Sequence, residues 1–158
     1  MGYLHIISMA IFKPPYNIAL RDHSKKSVFL AGSIEMGVSE NWQEKAEKFL
    51  FHAGYNVFNP RRDNWDSSWE QNFQNPQFYQ QVNWELDALE KADLIILYFS
   101  PDTKSPISLL EMGIHIRSGK LHVVCPSGFW RRGNVEITCN RYNVPLYNNL
   151  ETLLDVLK

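Results

Sequence analysis

The sequence predicts a single doubly wound α/β domain, flavodoxin- or Rossmann-like, with a parallel sheet of about five strands and helices on both faces. Two observations carry this. Short apolar runs alternate with longer segments of helical period, and parallel neighbours require such crossovers. The runs are continuous instead of alternating apolar with polar, so their strands are buried on both faces.

The first strand is Ser27-Val-Phe-Leu-Ala-Gly-Ser-Ile34, with residues 1–26 read as an N-terminal arm and 27–158 as the domain. Within the arm, Met1 to Phe12 is apolar but too short to span a bilayer, and reads as an ordered arm or edge strand. Ser39 is a candidate cap for a helix whose stripe is Trp42, Ala46, Phe49 and Leu50, closed by Gly54. Tyr55 to Phe58 is a second strand. A polar loop from Arg61 to Asn75 then carries Trp65, Trp69 and Phe73, and so long a loop is rarely a mere connector. Asn75-Pro76 opens a helix with Phe78, Val82, Leu86 and Leu89 as its expected buried stripe. Asp93 to Phe99 is the clearest strand and belongs at the sheet centre. A helix from Ser108 to Ser118, a strand Leu121 to Cys125, a helix from Asn134, a strand near Val144 to Leu146 and a helix from Asn149 complete the pattern.

Length and charge narrow the function. The chain has 158 residues, 44% hydrophobic and 21% charged, as a soluble one-domain protein would. Sixteen basic and 17 acidic residues leave a net charge of -1 without a run of either sign, so neither nucleic acid nor a membrane is an expected partner. Cys125 and Cys139 lack a CxxC spacing and fit a reduced, cytoplasmic setting. No HExxH, GxGxxG or Walker loop occurs, so no metal or other cofactor is indicated.

Ligands of doubly wound sheets sit beyond the carboxyl ends of the strands, where strand order reverses, so the loops after Ile34, Phe58 and Phe99 should meet there. Glu111 follows Ser108 at capping-box spacing, which reads it as a structural acid. Its helix also opens on the expected cleft, where the helix dipole would hold a carboxylate as the anion a nucleophile requires. Glu85 lies on the flank of an apolar stripe, either solvated or facing inward. Gly32-Ser33 reads as a strand-to-helix turn or a phosphate- or sugar-approach turn; Asp102 and Ser105 belong to the loop facing Glu111; Trp65 could stack on a base. Asp93 opens its strand at the far end from the cleft, which suits a structural role.

Phe29-Leu-Ala-Gly-Ser-Ile34, Trp84-Glu-Leu-Asp-Ala-Leu-Glu-Lys-Ala-Asp93, Ser105-Pro-Ile-Ser-Leu-Leu-Glu-Met-Gly113 and Ser127-Gly-Phe-Trp-Arg-Arg-Gly-Asn-Val135 together resemble the nucleoside 2-deoxyribosyltransferase superfamily, in its deoxyribosyltransferase-like branch. The resemblance implies cleavage of an N-glycosidic bond of a nucleoside or nucleoside 5'-monophosphate. Glu111 would be the nucleophile that forms a glycosyl ester, resolved by another base or by water. It implies Glu85 near the base, Ser105 at the position that separates nucleotide hydrolases from nucleoside transferases, and Phe29 where many relatives carry a tyrosine that orients the nucleophile. It further implies a homo-oligomer, with the segment from Trp130 to Asn134 near a neighbouring subunit's site. The rival reading is a catalytically silent nucleotide-binding sensor or regulatory module of the same fold.

Overall fold

A computed structural model describes residues 10–34, 40–62 and 65–158. Six strands form one parallel sheet: β1 (Ile11–Phe12), β2 (Ser27–Gly32), β3 (Asn56–Phe58), β4 (Leu94–Tyr98), β5 (Leu121–Val124) and β6 (Leu146–Tyr147). They lie in the order β1, β3, β2, β4, β5, β6, all neighbours parallel. Among the described residues the α-helices are α1 (Trp42–His52), α2 (Pro76–Lys91), α3 (Pro106–His115), α4 (Arg132–Arg141) and α5 (Leu150–Val156). None is long and apolar enough to cross a membrane.

The sheet has one strand more than the expected five or so, because Ile11 and Phe12 pair with Val57 and Phe58 at its edge. Their flanking segment is packed down as well, with Ile18 buried and the Trp84 indole donating to the Tyr16 carbonyl at 2.8 Å. Residues 1–9 and Ser39 lie outside the described residues. The cap of α1 is Asn41, which accepts from the Glu44 amide at 3.3 Å.

Continuous apolar strands bury both faces, as the two-sided core shows. Phe29, Ala31, Ile95 and Leu97 pack with Trp84, Ala88, Met112 and Val135 of α2, α3 and α4. Val28, Leu30, Ile96 and Tyr98 pack with Trp42, Ala46, Leu50 and Leu153 of α1 and α5. Asp93 has the structural role its position suggested: its carboxylate accepts from the Ser27 amide at 2.8 Å and the Ser27 hydroxyl at 3.0 Å, tying together the starts of β2 and β4.

Strand order reverses between β2 and β4, and their carboxyl ends are drawn together at one glycine. Gly32 pairs with Tyr98 and has φ +137°; a Cβ there would stand 2.2 Å from the Tyr98 carbonyl oxygen. The next amide, Ser33, donates to that same oxygen at 3.0 Å. Gly32 therefore serves close strand packing at the switch point, where the loops bearing the candidate residues diverge.

Candidate active site

The loops after β2, β3 and β4 enclose a cavity of about 850 Å³. Of the residues expected at the site, Gly32, Ser33, Trp65, Glu85, Ser105 and Glu111 line it. Asp102 does not; it is an exposed turn residue. Asn134 is exposed on α4 and is likewise absent from the lining.

Helix α3 positions Glu111 differently from the capping-box expectation. Pro106 occupies its first turn and Ser105 its N-cap, so Ser108 is a buried residue inside the helix and Glu111 stands in the second turn. A proline with fixed φ suits the first helical position, which explains the earlier start. Glu111 is thus no capping partner of Ser108. It also lies beyond the first turn, where the helix dipole acts most strongly.

The expectation that the dipole keeps Glu111 anionic is overturned by its surroundings. Burial, and then the charge of Glu85, push its carboxyl up from the usual 4.5 to about 8. Burial pushes Glu85 up from 4.5 to about 7, against a lowering hydrogen bond from Gln81. One Glu111 oxygen, Oε2, is buried without a hydrogen-bond partner among the described residues. Two half-buried acids thus face one cavity, and burial is the main reason that both titrate well above the ordinary carboxylate range.

Helix α2 brings Glu85 there together with most of the expected apolar stripe, which lines the cavity instead of packing in the core. Its buried residues are Gln81, Trp84, Ala88 and Leu89, whereas Phe78, Val82 and Leu86 line the cavity, with Leu86 38% exposed. Of the expected stripe, only Leu89 is buried; an apolar cavity wall and a core stripe have the same sequence pattern.

A knot of buried hydroxyls joins Ser33 and Ser105, both of which line the cavity. Ser33 Oγ lies 2.5 Å from Ser105 Oγ and 2.9 Å from Thr103 Oγ1, and Thr103 and Ser105 are 2.6 Å apart. Thr103 donates to the Ser100 carbonyl at 3.0 Å, while the Ser100 amide donates to Ser33 Oγ at 2.9 Å. The Ser33 carbonyl accepts from the Trp42 indole at 3.0 Å and the Gln43 amide at 3.2 Å. Ser105 has φ +48° and ψ +53°, a left-handed conformation that a non-glycine residue adopts at a cost of about 1 kcal/mol.

Arg62, Gln81 and Lys104 also line the cavity and were not singled out from sequence. Gln81 was legible as the residue one helical turn before Glu85; Arg62 and Lys104 carried no comparable mark. Arg62 sits over the Trp69 ring at 5.1 Å, and Trp69 meets Trp65 edge-on with centroids 5.0 Å apart. Lys104 lies 4.3 Å from the ring centre of Trp130, whose indole donates to the Lys104 carbonyl at 3.1 Å. Cys125 and Cys139 are free and buried, and burial pushes both thiols up to about 11.

An acid pair, a hydroxyl-lined turn and an aromatic loop around one cavity can bind a polar ring system and exchange protons with it. No curated protein gives a significant match to the chain. The family described as nucleoside 2-deoxyribosyltransferase like matches residues 25–129, which carry β2 to β5 and both cavity acids. The chain therefore belongs to the nucleoside 2-deoxyribosyltransferase-like family.

Proposed function

We propose that the protein cleaves the N-glycosidic bond of a nucleoside 5'-monophosphate or nucleoside, with Glu111 as nucleophile and transfer of the sugar to water or another base. The reading rests on one observation above all: in a chain of this family, Glu85 and Glu111 line the same cavity at the switch point of the sheet. Glu111 attacks the anomeric carbon, Glu85 serves the departing base, and a water or base then opens the glycosyl ester. Trp65 stacks on the base. Gly32, Ser33 and Ser105 lie at the sugar or phosphate, and Arg62 and Lys104 on the lining favour an anionic substrate. Asp102 and Asn134 lie outside the cavity lining, and Asn134 is assigned to a contact with a neighbouring copy of the chain. The reaction is assigned to the cytoplasm and needs no added cofactor.

A panel of ribo- and deoxyribonucleosides and their monophosphates, with and without a second free base, tests this by chromatography of released base. Release confirms the activity, and an exchange product separates transferase from hydrolase. Nucleotide binding without release from any substrate would establish the silent binding module instead, a reading favoured by the proton that Glu111 retains at neutral pH and by Phe29.

Stacking on a base contributes about 1–3 kcal/mol, so Trp65→Ala should raise KM about tenfold or more with a smaller change in kcat. Steady-state kinetics on the best substrate of the panel checks this. Homo-oligomerisation is part of the proposal, since Ile107, Leu110 and Ile114 of α3 are more than half exposed beside the cavity. Sedimentation should give a mass at least twice the 18.5 kDa of one chain.

The acid pair also fixes a pH response. The competent form holds one proton, with Glu111 ionised to attack and the proton on Glu85. Because Glu111 titrates above Glu85, this is the less populated of the two one-proton forms, and its share is still greatest between the two values. kcat/KM should therefore peak between about pH 7 and 8 and fall on both sides. Stability should run differently. Both folded values lie above the ordinary 4.5, so the folded state retains protons that the unfolded chain has lost. The stabilisation is complete below 4.5 and is lost as pH rises through about 7 and 8. Urea midpoints should decline from pH 5 to 9, and the Glu85→Gln/Glu111→Gln double variant should flatten that decline.

A further inference from the structure

Gln81 is 5% exposed, and its amide is fixed by two contacts. Its Nε2 donates to the Pro60 carbonyl at 3.0 Å and to Glu85 Oε1 at 2.8 Å. A carbonyl can only accept, so the nitrogen edge of the amide must face Pro60, and the same nitrogen must then present a hydrogen to Glu85. The four-residue spacing on α2 places the two side chains on one face. An oxygen that already accepts an N–H bond is the poorer site for a proton.

We propose that Gln81 is a positioning residue that confines the transferable proton of Glu85 to Oε2, and so determines which oxygen serves the departing base. This deepens the function proposed above and rests on it. As the glycosidic C–N bond breaks, its electron pair goes to the base nitrogen, which takes the proton from Glu85 Oε2, while a Glu111 oxygen bonds to the anomeric carbon. Glu85 is left as a carboxylate, and the Gln81 N–H stabilises that charge. In the second half, water bonds to the anomeric carbon and returns a proton to Glu85 Oε2, and the ester C–O electrons go back to Glu111. The Gln81 amide donates throughout. Among the described residues, the other charged groups that line the cavity are Glu111 from α3, Arg62 from the loop after β3 and Lys104 from the loop after β4.

The test is Gln81→Met, which keeps the volume and removes the donor. A hydrogen bond to a charged group contributes enough to move a titration by about one pH unit or more. Carbon-13 NMR of labelled glutamate carboxyls, without substrate, should show Glu85 titrating that much higher in the variant. kcat should fall about tenfold or more with KM little changed. In a Glu85→Gln background the same substitution should cost nothing further. An unmoved Glu85 titration, or an equal loss in the Glu85→Gln background, would overturn the proposal and leave Gln81 only its hook on Pro60. The titration needs no turnover. If no substrate is cleaved, a moved titration still upholds the hold of Gln81 on the Glu85 proton, while the function, and the service to a departing base with it, fails separately.

Discussion

Glu111→Ala is expected to lower base release by about 10³-fold or more, since the proposed covalent route would lose its nucleophile. Glu111→Gln should be nearly as damaging, because the amide keeps the volume but cannot carry the glycosyl ester. Neither variant should unfold the protein. Glu111 caps nothing in α3, and its Oε2 is buried without a partner among the described residues, so alanine takes away an unsatisfied polar atom and glutamine leaves a neutral group of the same size in its place. Melting temperature should therefore hold or rise while activity disappears. An alanine variant as active as the parent would leave Glu111 no catalytic role and reopen the choice of nucleophile.

Gly32→Ala should produce the largest loss of stability from a single added methyl group. The Cβ would meet backbone, the Tyr98 oxygen at 2.2 Å and nitrogen at 2.8 Å, and backbone of a central strand cannot turn aside as a side chain can. The φ of +137° adds strain of its own. Destabilisation of about 3 kcal/mol or more is expected, read from chemical unfolding. Gly113→Ala supplies the contrast. A Cβ there meets nothing within 4 Å, and alanine is the better helix former, so that variant should be neutral or gain up to about 1 kcal/mol.

These two positions show what a sequence exposes and what it conceals. The parallel sheet was readable because Phe29 to Ala31 and Ile95 to Tyr98 are continuous apolar runs, and burial on both faces leaves no other pattern. The inward face of α2 was not, since Phe78, Val82 and Leu86 satisfy the same periodicity whether they meet a core or a cavity. Ser108 and Glu111 have a capping spacing that Pro106 outranks, a competition between two local rules that composition cannot decide. Gln81 escaped notice because its importance lies in Pro60, 21 positions earlier, which only the fold brings near. The sixth strand was faint for a simpler reason: two residues are too few for a period.

Ser105 joins backbone and side-chain demands that pull against each other. Glycine would relax its left-handed backbone, yet would remove the oxygen that reaches Ser33 and Thr103; threonine would keep an oxygen but crowd the same φ. Asparagine tolerates the conformation but brings a longer, planar group into a contact of 2.5 Å. Serine is thus a compromise between conformational ease and a tether, and the entry of α3 can be altered at this position only by disturbing one or the other.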